Sequence, residues 1–162
     1  MNTMEYFRFE SDFVEENIRC IPMTVRLKLD LAGIKLSLAA WSRCTVEERY
    51  ALATRQCNLP AEKRFYRQLL VAIILRTTGE APVEIPVDTD PPWDNCQVIP
   101  SSLQDHVKLY GLVIDKRSWS RLTRLQRFAL LKLCRPGHEN RNFPLAIKEF
   151  GLINYLPEKL AL

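Results

Sequence analysis

The residues with the most chemical potential in this chain lie close together towards its C-terminal end. The run His138-Glu139-Asn140-Arg141-Asn142 follows Cys134, Arg135 and a Pro136-Gly137 break. A thiol four residues before an imidazole is raw material for a Cys/His nucleophile, and a His beside a Glu could begin a metal site. Neither constellation is complete. The Pro-Gly turn between Cys134 and His138 gives their side chains no reason to face each other, and a metal would need ligands from remote positions. The other histidine, His106, stands beside Asp105 within a helical pattern and reads as a surface or half-buried residue without a catalytic part. No G-x-S-x-G, H-E-x-x-H, P-loop or G-x-G-x-x-G is present, and five glycines are too few to build a phosphate cradle. The chain is therefore read as a non-enzyme, with no catalytic residue, no metal and no cofactor.

Part of the polar run has a purely structural use. Helix ends leave backbone N–H and C=O groups without partners. Arg135-Pro136-Gly137 stops one helix. Asn140 or Asn142 can cap the next, with Pro144 in its first turn, and Glu139 with Arg141 can tie the turn by ion pairing. That account leaves an excess of polar side chains, and such an excess on a loop favours recognition. The candidate partner-binding surface is Arg135, His138, Glu139, Asn140, Arg141 and Asn142, joined by Arg121 and Arg124.

The elements that must position these residues show a pattern of their own. With a shift of 78 residues, Ile21-Pro22 falls on Ile99-Pro100, Gly33 on Gly111, and Trp41-Ser42-Arg43 on Trp119-Ser120-Arg121. Thr45, Arg49, Ala51-Leu52 and Phe65 fall on Thr123, Arg127, Ala129-Leu130 and Phe143 without a gap. Gly, Pro and Trp matched at one offset point to an internal repeat. Copies of roughly 60 residues bury too little core to stand alone, so one mainly α domain over residues 1–162 is expected. The first copy spans about 20–79, an acidic Pro-rich connector 80–98, and the second copy about 99–151.

In each copy Pro22 or Pro100 opens a helix and Gly33 or Gly111 closes it. Short extended pieces follow at Ile34–Leu36 and Leu112–Ile114. Ser37 or Asp115 then caps a short helix with Trp41 or Trp119 on its buried face. Thr45-Val46-Glu47-Glu48 is a capping box opening a helix to about Gln56; its counterpart runs from Thr123 to near Arg135. The last helices are Pro60–Thr78, ended by Gly79, and about Phe143–Phe150, ended by Gly151. "VRLKLDL" (25–31) alternates like a strand, yet its counterpart at 103–110 does not, so both are expected to be helical. "YFRFE" (6–10) is expected to be a short strand. Four prolines exclude a regular helix from the connector, and Trp93 is expected to pin it down.

Composition narrows the class. Hydrophobic residues make up 47% of the 162 and charged residues 26%, as in a soluble globular protein. The N-terminal residues show neither a basic nor an apolar signal region, and the apolar run Leu69–Leu75 is too short for a bilayer. A cytoplasmic, non-membrane protein is expected. Five widely spaced cysteines without C-x-x-C read as reduced, mostly buried thiols. Residues 1–79 carry net +3, residues 80–99 net −5, and residues 100–162 net +6. The second copy clusters Lys116, Arg117, Arg121, Arg124, Arg127 and Lys132 around two helices. This can be a solvated face or can meet an acidic protein; without a nucleic-acid signature, and with an acidic connector nearby, no nucleic-acid partner is assigned.

Two stretches carry a family resemblance: "IPMTVRLKLDLAGIKLSLAAWSRCTVEERYAL" and "LQRFALLKLCRPGHENRNFPLAIKEFGL". They resemble the nitrate reductase-associated proteins of cyanobacteria. "RPGHENRNF" followed by an apolar stretch and "KEFGL" is the most specific part, and the resemblance runs from about Tyr6 to Leu152. It implies a small cytoplasmic protein encoded beside assimilatory nitrate reductase and molybdenum-cofactor synthesis, needed for active enzyme but without an established activity of its own. Nitrate reductase is the implied partner, met by protein–protein contact. A second reading under the same resemblance is a carrier or insertion factor for the molybdopterin dinucleotide, whose phosphates arginines and helix N-termini would hold. The resemblance assigns no site residues.

Overall fold

The computed structural model describes residues 6–10, 20–135 and 141–152. Contacts divide the chain into two compact units. One holds Glu10–Thr89; the other holds Phe7–Phe9 with the chain from Asp90 onward. Among the described residues the structure is mainly helical, with eight α-helices and one two-stranded sheet.

The first unit contains α1 (Met23–Ala32), β1 (Ile34–Lys35), α2 (Leu38–Ser42), α3 (Val46–Thr54), α4 (Pro60–Thr78) and β2 (Val83–Glu84). The strand-like alternation of Val25, Leu27, Leu29 and Leu31 is helical, as its counterpart suggests. The physical reason is burial on more than one side: all four are buried, and α1 packs on both α3 and α4. Lys28 lies among them with its stem covered and its Nζ donating to the Ala53 carbonyl at 2.5 Å, while burial pulls its pKa down. Pro22 is the N-cap of α1 and offers no side-chain cap. The buried Glu10 carboxylate serves instead, accepting the Met23 N–H at 2.6 Å.

Gly33 ends α1 at φ +69°, and the connector comes back against it. Ile85 N–H donates to the Gly33 carbonyl at 2.9 Å, and β2 pairs antiparallel with β1, Ile34 opposite Glu84 and Lys35 opposite Val83. Arg67 fastens the same corner by donating to the Ala32 carbonyl and pairing with Glu84 at 2.6 Å. The acidic connector thus contributes a strand to this unit.

The second unit contains a 3-10 turn (Pro92–Asp94), α5 (Ser101–Lys108), α6 (Lys116–Arg121), α7 (Arg124–Leu133) and α8 (Asn142–Glu149). Trp93 is buried, as expected, edge-on to Phe128 with ring centroids 5.0 Å apart. Leu103, Val107, Trp119, Phe128, Leu130 and Phe143 form its driest core.

"YFRFE" is not a strand. Arg8–Glu10 forms a 3-10 turn. The N–H groups of Arg8 and Phe9 are taken by the Glu149 carboxylate at 2.7 and 3.2 Å, so no strand partner is needed. Phe7 and Phe9 stack at 5.3 Å and both meet Phe150 edge-on.

The four predicted caps hold their helices. Ser37 Oγ accepts from Ala40 N–H and Asp115 Oδ1 from Ser118 N–H, at 3.0 and 2.7 Å. Thr45 and Thr123 each complete a capping box, with Glu48 and Gln126 reaching back to the cap N–H. None of the cysteines is in a disulfide, but only Cys44 and Cys57 are buried; Cys96 and Cys134 are half-buried and Cys20 is exposed. No helix among the described residues is long and apolar enough to cross a membrane.

Candidate functional site

Of the eight residues expected to form a partner surface, His138, Glu139 and Asn140 lie outside the described residues. Arg135 is exposed just past the end of α7, its N–H bonded weakly to the Lys132 carbonyl at 3.4 Å. Arg141 is exposed at the start of α8. Asn142 does not cap that helix: it is the first helical residue, and the N-cap position belongs to Arg141. Arg141 makes no side-chain cap, since a guanidinium donates hydrogen bonds and cannot accept the helix N–H groups, and its φ −59° and ψ −31° are already helical. Arg121 is exposed in the last turn of α6.

The basic cluster of this unit is less free than its sequence suggests. Arg124 grips Asp94 with two donors, Nε to Oδ1 and Nη2 to Oδ2, the latter at 2.9 Å. Arg127 is not on a solvated face. It is buried, donating Nε–H to the Trp93 carbonyl at 2.7 Å and Nη1–H to the Leu122 carbonyl at 2.6 Å. Its guanidinium carbon stands 5.9 Å from the Trp119 ring centroid, and Trp119 Nε1–H donates to the Asn95 carbonyl at 2.9 Å. Arg127 and Trp119 therefore clamp the main chain of residues 93–95. The side chains of Lys116, Arg117, Arg121, Arg135 and Arg141 are exposed.

Cys134 is poorly suited to nucleophilic work. Burial pushes its thiol pKa up, opposite to the shift a reactive thiolate needs, and its Sγ donates to the Leu131 carbonyl. His106 is half-buried, its ring edge-on to Phe143 at 4.5 Å and near Tyr110 at 5.6 Å. Its Nε2 is buried without a hydrogen-bond partner among the described residues, and burial lowers its pKa. Among the described residues no group of three or more His, Cys, Asp or Glu is placed to hold a metal ion.

Two features of the first unit escape the sequence reading. The outer side of α4 carries an open groove of about 540 Å³ lined by Arg64, Arg67, Gln68, Val71, Ala72 and Leu75. Phe65 beside it is 65% exposed, although its letter-match Phe143 is fully buried. The inward stripe of α4 is Tyr66, Leu70, Ile73, Ile74 and Thr77, and that helical spacing is the signal that turns Phe65 outward. The second feature is the pair Trp41 and Arg49. Arg49 stands 5.9 Å from the Trp41 ring centroid and donates Nη2–H to the Cys44 carbonyl at 2.7 Å. Trp41 Nε1 and Arg49 Nε are buried donors without a hydrogen-bond partner among the described residues.

Neither a curated protein nor a solved structure matches the chain. Residues 6–150 match the family described as conserved nitrate reductase-associated protein. That match covers both helical units and the segment joining them, and on its strength the chain belongs to the nitrate reductase-associated protein family.

Proposed function

We propose that this protein is a non-enzymatic accessory factor of assimilatory nitrate reductase, supporting its maturation, stability or activity through direct protein–protein contact in the cytoplasm. The observation that carries the reading is the family match over residues 6–150. The contact is assigned to Arg135, His138, Glu139, Asn140, Arg141 and Asn142, together with Arg121 and Arg124. Support comes from the net +6 of residues 100–162 and from the exposure of Arg121, Arg135 and Arg141, which suit an acidic patch on the partner. The chain is tested by changing His138, Asn140 and Arg141 together to Ala and measuring co-purification with nitrate reductase and the enzyme's activity. Loss of both in a folded variant is the expected result. Unchanged binding and activity would remove the site assignment.

We further infer that the chain is an internal duplication with a 78-residue offset. Thr45 and Thr123 cap in the same way, Gly33 and Gly111 share φ +69°, and Arg49 and Arg127 stand at one distance from Trp41 and Trp119. The last helices support a one-residue change of register, since Tyr66, Leu70 and Ile73 match Phe143, Ile147 and Phe150 in spacing better than Phe65 matches Phe143.

A further inference from the structure

Helix α4 carries two stripes on opposite sides. The inward one, Tyr66, Leu70, Ile73, Ile74 and Thr77, is buried. The outward one is Ala61, Phe65, Gln68, Ala72 and Leu75, all exposed. These five recur at alternating steps of four and three residues, the spacing of a coiled-coil seam, and Gly79 continues it one step past the helix end. Leu69 and Val71 border the seam, one on each side, and are half-buried. A helix that covers its core with one stripe has no internal use for a second.

The charges decide what the seam fits. Arg67 already holds Glu84 and Arg76 already holds Glu48, so an acidic partner would have to compete with carboxylates in place. The two ends of the seam complement each other instead. Glu62 spends only Oε2 on the Asn58 and Leu59 N–H groups, at 2.9 Å each. Arg76 spends Nε and Nη2 on Glu48 and the Arg43 carbonyl. Glu62 Oε1 and Arg76 Nη1 have no hydrogen-bond partner among the described residues. Glu62, Leu69 and Arg76 follow one another at seven-residue spacing, so the open acceptor and the open donor lie along one border of the seam.

We propose that this face docks a second copy of the chain, the two α4 helices running antiparallel about a two-fold axis at the level of Leu70. At a rise of about 1.5 Å per residue, positions equally far from Leu70 then share one level. Phe65 meets Leu75 of the second copy, Gln68 meets its Ala72, and Ala61 meets its Gly79. A Cβ at Gly79 would have nothing within 4 Å, so that end of the seam is open to a partner. Glu62 comes within about 3 Å, along the axis, of Arg76 of the second copy, and Arg76 does the same with its Glu62. The two Gln68 amides, about 6 Å apart along the axis, can bond to each other and hold the register. One helix pair is a small interface, so a weak dimer is expected, with a Kd on the order of 10–100 µM. The proposal goes beyond the accessory function and does not depend on it.

The test is sedimentation velocity of the intact chain from about 5 to 500 µM, a range that spans this Kd. The parent should pass from monomer to dimer. Phe65→Glu and Leu75→Lys change exposed side chains, should leave the circular dichroism spectrum unaltered, and should each raise the Kd about tenfold or more. Mixed in equal amounts, the two variants should dimerise again. The introduced carboxylate then meets the introduced ammonium in one layer while the other layer keeps its native pair. A parent that stays monomeric throughout overturns the proposal without any variant. A dimer indifferent to both substitutions overturns the choice of face. Monomeric variants whose mixture also stays monomeric overturn the antiparallel pairing.

Discussion

Arg127 reaches across 34 residues of chain to donate its Nε–H to the carbonyl of Trp93 at 2.7 Å. The same guanidinium satisfies the Leu122 carbonyl and lies near the Trp119 ring. Replacing Arg127 with Met keeps much of the stem but strands two carbonyls. A loss of about 2–4 kcal/mol is expected in urea unfolding. Arg127→Lys should recover little, because one ammonium cannot repeat the forked geometry.

Gly33 and Gly79 separate two effects that glycine substitutions usually mix. Both have positive φ, +69° and +73°. A Cβ at Gly33 would meet Val87 Cγ2 at 2.7 Å and the Ile85 carbonyl oxygen at 3.0 Å, whereas a Cβ at Gly79 would meet nothing within 4 Å. Gly79→Ala should cost about 1–2 kcal/mol from backbone conformation alone. Gly33→Ala should cost clearly more, since the connector must also move away from α1. Thermal unfolding of the two variants side by side measures the difference.

The capping boxes of α3 and α7 lie in different units and share no partner. Thr45→Ala and Thr123→Ala should each cost about 1 kcal/mol, and the double variant should show the sum. Chemical denaturation of the two single variants and the double one checks this.

Acid should weaken the packing around His106. Burial holds its pKa below the ordinary 6.5, so the folded protein binds this proton less readily than the unfolded chain. The neutral ring's stability is fully present above pH 6.5 and is lost as pH falls from there towards the folded pKa. His106→Phe removes the titration and the unpaired Nε2. Its melting temperature relative to the parent should rise between pH 7.5 and pH 5.5, and a constant difference would show that His106 is not the group responsible.

Helix ends were the most legible part of this fold. Ser37, Thr45, Asp115 and Thr123 announce their roles locally, because a cap acts on backbone groups two or three residues away. What depends on distant chain was not legible in the same way. "YFRFE" has strand periodicity, but its backbone donors are claimed by Glu149, which no local pattern reveals. Arg127 looks like one more surface charge among five others until the Trp93 carbonyl arrives to bury it. Phe65 and Phe143 match as letters and differ in burial, because the inward stripe of α4 runs through Tyr66, Leu70 and Ile73 and leaves Phe65 outside, whereas Phe143 lies on the buried side of α8. Of the residues proposed for the contact, Arg121, Arg135 and Arg141 are exposed and Arg124 is paired with Asp94, a distant partner that no local pattern reveals.

The grip of Glu149 on the backbone of Arg8 and Phe9 also sets an order of events during synthesis. Phe7 and Phe9 leave the ribosome about 140 residues before the carboxylate and the Phe150 ring that will cover them. At ~5–20 residues per second, this aromatic pair waits roughly 7–28 s without its native cover. The second unit can close only after residues 149–150 have been made. Until then Phe7 and Phe9 are apolar surface on the growing chain without the ring that packs against them.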